Sequence, residues 1–415
     1  MKLKFITPLL AGITITACNS SSHTDDKQNI INVADAIENP SPVTTSKLGS
    51  TIKYVPLETS DTCLIAGGTI MSATPDKIIV SNFGSEPAIL VFDLHTGKFL
   101  NRVGQHGNGP EDFNNPYHVA DAEGNRIYVR SPNGKGMLAY TTEGEYTGKI
   151  LPELNVWDYG YITFSDSVVT IATHPKENGN RAGGIMHYTL SGERIDSMGI
   201  FNGQKYKQPF PTGFTGYTDY KRFPGLLGYQ DQTLVQVTNQ DKTYICPSIR
   251  QYNVNGETHI KEVLCDTVYR LTSQGAEPVL IFDMGANSFP VEDMNARPIG
   301  SSTLLVTDML ETKDQVIFGL SRGWPINEDH SEFIGLYDRA TGKTIISPAS
   351  EGIADDLSGF MPFRPSMTNS RGDLIGVLTP EEIETWFEEH PDTPRPEWLD
   401  NIKIDDNPVL VIITK

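Results

Sequence analysis

Short apolar runs separated by polar turns dominate the chain from residue 52 onward. In the segment 88–113, an apolar run at 89–92 leads into a polar turn that contains Gly97, and a second apolar run follows at 99–103. Runs of this length and composition are typical of β-strands, and a turn glycine can adopt the positive φ that many hairpin turns require. The segment therefore predicts a β-hairpin, which ends in a Gly/Pro-rich loop at 104–110.

The turn of this hairpin recurs along the sequence. In each copy an aromatic residue is followed within a few positions by a glycine; the copies are Phe92 with Gly97, Tyr140 with Gly144, Tyr188 with Gly192, Tyr269 with Gly275 and Tyr337 with Gly342. The first three glycines are 47 and 48 residues apart, and the later intervals are 83 and 67 residues. A repeat of about 45 residues with four short strands is typical of a β-propeller blade. The longer intervals indicate insertions.

The repeat predicts an all-β fold, a six-bladed β-propeller with four-stranded antiparallel blades. We expect the blades at residues 64–103, 117–151, 157–198, 225–284, 302–348 and 365–377, the last one completed by a strand at 408–414. The strand at 52–57 has no hairpin partner of its own. We expect it to join the terminal sheet, so that N- and C-terminal strands together close the ring and protect the sheet edges. A β-sandwich followed by a second domain is the alternative arrangement of the same strands.

One helix is predicted, beginning after Thr379. Thr379 is a suitable N-cap, Pro380 fits the first helical position, and two acidic residues follow in the first turn. Ile383, Trp386 and Phe387 fall on one face at helical spacing. We expect this helix to pack on the ring.

The first eighteen residues predict export. A basic start, Met1 to Lys4, precedes an apolar stretch at 5–15 that is too short to span a bilayer. The residues Ile15-Thr16-Ala17-Cys18 resemble a bacterial lipobox, which implies cleavage before Cys18 and lipid attachment to its sulfur. The alternative is an ordinary secretory signal with an incidental cysteine. The expected organisation is a lipoprotein signal peptide at 1–17, a lipid-anchored tether at 18–50 and the propeller at 51–415.

Charge and cysteine content exclude several classes of function. The chain has 33 basic and 52 acidic residues and a net charge of −19, so it lacks the basic face that nucleic acid requires. No Cys/His spacing indicates zinc, and no cofactor is predicted. Cys246 and Cys265 lie near the two ends of a predicted hairpin and are candidates for a disulfide, which an exported compartment permits. Buried free thiols are the alternative, and Cys63 makes the number of remaining cysteines odd.

Four parts of the chain resemble the six-bladed β-propeller lipoproteins of Bacteroidales, relatives of the NHL-repeat propellers. They are the opening YVPLET at 54–59, the Gly/Pro loop region at 99–113, the hairpin at 266–271 with 281–285, and the ending DDNPVLV at 405–411. The resemblance covers essentially all of the expected mature chain. It implies a single propeller on a lipid anchor in the cell envelope, with the outer membrane favoured and its periplasmic or surface face left open. It implies no agreed activity.

Aromatic residues concentrate at 201–229, in the longest interval between turn glycines. Inserted loops on a rigid scaffold often carry binding sites, and aromatic rings with interleaved polar groups suit sugars or peptides. Arg beside Trp suits carboxylates or sugars. The candidate ligand-binding residues are Trp157, Tyr159, Tyr217, Tyr220, Arg222, Arg322 and Trp324. Packing of these side chains onto the ring is the alternative interpretation.

The sequence contains no recognisable catalytic motif. We find neither G-x-S-x-G nor H-E-x-x-H, and acidic pairs such as Asp355-Asp356 are adjacent, so that their side chains diverge. The sequence therefore favours an envelope binding or scaffold module, expected to be monomeric, for a glycan, a peptide or an envelope protein. The alternative is a carbohydrate-active hydrolase or lyase with its site at the channel mouth, which would bring carboxylates or histidines from at least three blades into one pocket.

Overall fold

The computed structural model describes residues 29–66, 69–121, 125–155, 161–165, 167–173, 184–199, 219–222, 233–237, 242–246, 249–262, 265–272, 275–289, 300–323, 329–349 and 352–415. Within this part of the chain, six sheets with four antiparallel strands each form the blades of a ring. The predicted six-bladed β-propeller is therefore confirmed.

The described chain starts with an N-terminal segment that precedes the first complete blade. It contains β1 (Asn29–Asn32), α1 (Val33–Glu38), α2 (Thr45–Leu48) and β2 (Thr51–Pro56). Blade 1 has β3 (Thr69–Ala73), β4 (Lys77–Asn82), β5 (Ala88–Asp93) and β6 (Phe99–Arg102). Blade 2 has β7 (His118–Ala120), β8 (Arg126–Arg130), β9 (Lys135–Thr141) and β10 (Tyr146–Asn155). Blade 3 has β11 (Tyr161–Ser165), β12 (Val168–Thr173), β13 (Gly184–Thr189) and β14 (Arg194–Gly199).

An additional three-stranded sheet follows blade 3 in the sequence. It consists of β15 (Asp219–Arg222), β16 (Thr233–Val237) and β17 (Lys242–Cys246). Blade 4 has β18 (Ile249–Val254), β19 (Glu257–Glu262), β20 (Thr267–Thr272) and β21 (Gly275–Asp283). The prediction that blade 4 spans 225–284 is therefore wrong at its start, because β16 and β17 pair within the separate sheet.

Blades 5 and 6 complete the ring. Blade 5 has β22 (Leu304–Glu311), β23 (Gln315–Arg322), β24 (Ser331–Asp338) and β25 (Lys343–Pro348). Blade 6 has β26 (Pro365–Thr368), β27 (Leu374–Leu378) and β28 (Val409–Thr414), with α3 (Pro380–Glu389) inserted before β28. As predicted, β2 is the fourth strand of blade 6, and its register with β28 runs from Thr51 opposite Thr414 to Pro56 opposite Val409.

The first strand of each blade lies at the centre of the ring. Contacts between neighbouring first strands join β3 to β7, β7 to β11, β11 to β18, β22 to β26, and β26 to β3. The middle strands are sandwiched between adjacent blades, so they are buried on both faces and read as continuous apolar runs. The strand β5 is an example, because five of its six residues are buried. The main core consists of these interfaces between blades.

The segment 29–48, which we call the N-terminal strap, packs along the outer edges of blades 4 and 5. Its strand β1 pairs in parallel with β21 and buries Ile31 completely. The backbone N–H of Ser41 then donates to the carbonyl of Ile346 on β25 at 2.8 Å. Residues 29–48 are therefore folded, and the predicted boundary between tether and propeller at residue 50 is too late. Their polar composition and prolines masked the short apolar anchors.

The helix α3 lies where the sequence predicts it. Thr379 and Glu382 form a reciprocal capping box, and Pro380 occupies the first helical position. Ile383 and Phe387 are buried against Phe360, so the helix packs on blade 6 as expected.

Candidate functional site

A central cavity of about 450 Å³ lies at one end of the channel. Its wall contains residues from the first strand of all six blades, and its rim contains residues of the hairpin turns that follow four of these strands. Pockets for small molecules commonly have about 300–1,000 Å³. The cavity therefore has the size of a site for a small molecule.

Beside apolar residues such as Met71 and Leu310, the wall of this cavity contains short polar side chains. They include Ser72, Thr163, Asn253, Ser366, Thr368 and Asn369. The first strands place all of these except Asn369, which lies in the turn after β26, because one long edge of each first strand has no partner strand within its blade and faces the channel. Hydroxyl and amide groups donate and accept hydrogen bonds without carrying charge. The wall therefore suits a ligand that is itself rich in neutral hydrogen-bonding groups.

Tight hairpin turns shape the rim. Between β18 and β19, Asn255 and Gly256 have φ values of 51° and 78°. Two consecutive positive φ values are the requirement of a type I′ turn, which Asn-Gly satisfies at low conformational cost. Asn255 and Lys313, from the turn of blade 5, are both exposed at the rim. These turns leave polar groups accessible where the cavity meets solvent.

One acidic residue of the wall is fully engaged by protein groups. The side chain of Glu311 has no solvent-exposed surface, and Arg339 contacts its Oε1. The Tyr252 hydroxyl donates to Oε2 at 2.6 Å, and His259 Nδ1 donates to the same oxygen at 3.0 Å. A buried carboxylate with this many partners is satisfied internally. Glu311 therefore joins blade 4 to blade 5, and we assign it a structural role.

The carboxylates expected of a propeller hydrolase are not gathered at the described part of the cavity. Its wall contains two, Asp121 from blade 2 and Glu311 from blade 5, and no histidine. Among the described residues, no three His, Cys, Asp or Glu side chains are grouped so that they could hold a metal ion. The described lining thus matches a polar binding site more closely than the multi-blade acidic site of the alternative.

A serine–histidine–serine chain lies behind the wall, between blades 1 and 2. His118 Nε2 is 3.0 Å from Ser72 Oγ, and His118 Nδ1 is 2.5 Å from Ser81 Oγ. His118 is 3% exposed and Ser81 is completely buried. Desolvation by burial lowers the pKa of His118 to about 4, so the imidazole is neutral at pH 7. Ser72 is thus the member of the chain that lines the cavity.

Six of the seven predicted ligand-binding residues have no described side chain. Trp157, Tyr159, Tyr217 and Trp324 lie outside the described residues, as does Cys18. Tyr220 and Arg222 belong to β15, of which the structure describes the strand but not the side chains. The ligand-binding role of these residues stays a prediction.

Arg322 is the one candidate ligand-binding residue whose side chain is described. Its Nη2 donates to Glu38 of α1 at 2.8 Å, and its guanidinium lies 5.6 Å from the centre of the Phe333 ring. It is paired with Leu304 at the start of β22, whereas Glu311 at the cavity lies at the end of that strand. Arg322 therefore anchors the N-terminal strap and lies away from the cavity.

The predicted disulfide between Cys246 and Cys265 can be compared with the structure at only one of its two cysteines. Cys265 carries a free thiol in the structure, and so does Cys63, which is buried. The side chain of Cys246 lies outside the described part of the chain. The pairing of Cys246 with Cys265 stays a prediction.

The polar positions of the first strands were not recognised from the sequence. A signal was present for Ser72 and Thr163, which interrupt mostly apolar or aromatic strands, but not for Asn253, whose strand also contains Arg250 and Gln251. The alternation of apolar and polar residues reports which positions are buried. It could not single out the positions that face the channel, because a narrow channel buries polar and apolar side chains alike. The pairing of Ser72 with His118 joins residues that are 46 positions apart, so it required the packing of two blades.

No helix within the described ranges is long and apolar enough to cross a membrane.

Comparison with curated proteins finds no match. Among solved structures, a Bacteroides fragilis protein described as exported superposes with a TM-score of 0.59 at 15% identity, covering 91% of this chain and 98% of the other. A Bacteroides vulgatus member of the DUF4221 family has a TM-score of 0.45 at 10% identity, covering 88% and 96%. The likeness to the first of these shows a shared fold.

A family profile matches nearly the whole chain. It covers residues 28–414, from the start of the N-terminal strap to the last strand of blade 6. The match thus includes the strap as well as all six blades. The chain belongs to the family described as a domain of unknown function, DUF4934.

Proposed function

We propose that this protein is an exported, lipid-anchored binding module whose central cavity holds a short glycan. The observation that carries this proposal is the lining of the cavity, to which the first strands of four blades contribute neutral hydroxyl and amide side chains. Sugars present several hydroxyl groups in fixed directions, and each can donate and accept. A ring of short polar side chains can match them without burying an unpaired charge.

The size of the cavity favours a glycan over the other ligands considered. A volume of about 450 Å³ admits one or two sugar rings but not a folded envelope protein. A peptide would add backbone groups and side chains of variable polarity, whereas the first strands contribute short neutral polar side chains to the wall, beside apolar ones such as Met71 and Leu310.

Two observations support the proposed localisation of the protein. The lipobox-like sequence that ends at Cys18 supports export followed by lipid attachment. The Bacteroides fragilis protein with the same fold is described as exported, which supports the same compartment for this chain. Mass spectrometry of the membrane fraction should find Cys18 as the lipidated N-terminal residue. Recovery of an unmodified Cys18 would remove the anchor from the proposal.

Binding is tested with the purified protein on a glycan array, followed by titration calorimetry with each hit. We expect the variant Thr368→Trp to abolish binding, because the indole ring would fill part of the cavity. Thr385→Trp is the matched control, since Thr385 is exposed on α3 outside the cavity. If no glycan binds, or if Thr368→Trp binds as tightly as Thr385→Trp, the cavity is not a glycan site. If the cavity bound peptides instead of glycans, its ligand class would be peptides.

A further inference from the structure

Ser72 differs from the other hydroxyls of the cavity wall because it contacts a histidine. The hydrogen bonds of the Ser72–His118–Ser81 chain determine where its protons lie. Ser81 Oγ is 2.5 Å from the carbonyl oxygen of Pro116, which can only accept, so Ser81 donates its single proton there. Ser81 must then accept from His118, and Nδ1 therefore carries the imidazole proton.

The other ring nitrogen is consequently a base. With Nδ1 protonated and the ring neutral, Nε2 has a lone pair directed at Ser72 Oγ, 3.0 Å away. Ser72 donates its proton to Nε2. A hydroxyl that donates to a neutral imidazole, whose other nitrogen is held by a third group, is the arrangement that activates serine nucleophiles.

The backbone next to Ser72 supplies a hydrogen-bond donor on the channel side. The N–H of Thr74 donates to the carbonyl of Lys77, so these two residues form a hydrogen-bonded pair of the β3–β4 ladder. Pairs alternate along an antiparallel ladder, and Ala73 opposite Ile78 is therefore a pair without these bonds. The N–H of Ala73 points away from β4, toward the channel. A backbone N–H immediately after a nucleophile can stabilise the oxyanion of acyl transfer.

We propose that Ser72 is the nucleophile of an ester-cleaving site in the central cavity, with His118 as general base and Ser81 as its positioning residue. The substrate class is a carboxylic ester carried by a hydroxyl-rich ligand, such as an O-acylated sugar. This activity extends the proposed glycan binding and rests on the same cavity.

The reaction balances with water as the only co-reactant. Ser72 Oγ bonds to the acyl carbon while its proton passes to His118 Nε2. The tetrahedral intermediate expels the alcohol, which takes the proton from Nε2, and the acyl group stays on Ser72. Water then attacks the acyl carbon and gives its proton to Nε2. Ser72 leaves with that proton, and the carboxylic acid is released.

Covalent labelling is the primary test, because a base with a lowered pKa accepts a proton less readily and turnover should be slow. The full-length protein is incubated with an alkyl fluorophosphonate, in which Ser72 Oγ would displace fluoride from phosphorus. We expect one adduct by intact mass, located on Ser72 by peptide sequencing. The variant Ser72→Ala should not be labelled and should hydrolyse p-nitrophenyl acetate at least about 100-fold more slowly. Ser197→Ala, an exposed serine on β14, should match the unmodified chain.

Two further measurements separate catalysis from a structural link. Nitrogen-15 spectra of the histidine rings should show Nδ1 protonated and Nε2 unprotonated in His118, and Ser81→Ala should disturb this assignment and slow labelling while the fold is retained. Labelling of Ser72 without glycan binding would support the site and overturn the proposed function. Glycan binding without an adduct on Ser72, or an adduct elsewhere, would overturn the ester-cleaving site and leave the binding function standing.

Discussion

At the scale of single residues, His118 makes the stability of the protein depend on pH. Burial lowers its pKa in the folded chain to about 4, from an ordinary value of 6.5. Between these values the unfolded chain binds a proton on this residue and the folded chain does not. The free energy of unfolding should therefore fall as the pH falls from 6.5 to 4, by at most roughly 3 kcal/mol from this residue.

Urea unfolding at several pH values between 7 and 4 checks this prediction. The variant His118→Gln should be less stable at pH 7, because it loses the contacts with Ser72 and Ser81, but its stability should vary less with pH. His106→Gln is the control, since His106 is an exposed loop residue. An unchanged pH dependence in His118→Gln would contradict the assignment of a neutral, buried imidazole.

The same residue shows why the candidate site could not be predicted from the sequence. Ser72 and His118 belong to different blades, and neither occurs in a local motif. Only the register of β3 and the approach of β7 bring them together. For Arg322, in contrast, the local sequence suggested a ligand-binding role. Its side chain instead pairs with Glu38, which is 284 positions away in the sequence. Side chains that act across blades require knowledge of the packing.

At the scale of elements, a buried carboxylate, Asp355, helps to hold the end of the N-terminal strap, together with Asp356, which accepts from Ser46. Asp355 accepts from Thr45 Oγ1 at 2.9 Å and from the Tyr54 hydroxyl at 3.0 Å. Burial alone would raise the pKa of Asp355, but hydrogen bonds from Ser358 and Thr45 outweigh it and keep the pKa below the ordinary 3.8. The carboxylate form is thus the one that is bound. Its contribution to stability is present at neutral pH and is lost as the pH falls below that value.

We expect Asp355→Ala to loosen the strap without unfolding the ring. Removing the acceptor leaves several donors unsatisfied, which costs about 2 kcal/mol locally and corresponds to a roughly 30-fold increase in opening. Hydrogen exchange of the backbone amides at 30–48 measures this directly, with the amides of β4 as internal reference. Asp392→Ala, at an exposed position after α3, should leave both sets unchanged. Equal protection of the strap in both variants would show that Asp355 does not hold it.

Elements were predictable where their pattern is local. The helix α3 carries its own start signals, Thr379 and Pro380, and an apolar face, and the structure has it at that place. The helices α1 and α2 have six and four residues and are stabilised by the blades on which they lie, so their sequence alone is too short to specify them. The start of blade 4 was misplaced for a related reason, because strands of the additional sheet have the same composition as blade strands.

At the scale of the whole molecule, the fold was predictable because the repeat is a global signal that survives local ambiguity. Five hairpin turns with a common pattern fixed the architecture, and the unpaired strand at 52–57 indicated how the ring closes. The structure places β2 beside β28, and the five residues Val409 to Ile413 are each at most 4% exposed. Closure by strands from both ends of the chain buries this edge, which an open array would leave free to pair with other molecules.

Two truncations test how far stability depends on this closure. A chain that begins at Gly49 keeps β2 and loses the strap, so we expect a folded monomer with a lower melting temperature. A chain that begins at Glu58 also loses β2, which leaves β28 as an apolar edge strand and opens the ring between blades 6 and 1. We expect this chain to lose its cooperative melting transition and to aggregate, as measured by circular dichroism and size-exclusion chromatography. A strand stabilises the sheet only where it pairs with a neighbour. A β2 peptide added in excess should therefore partly restore cooperative melting of the chain that begins at Glu58. Cooperative melting of the chain that begins at Glu58, without added peptide, would show that the interfaces between blades hold the ring without strand closure.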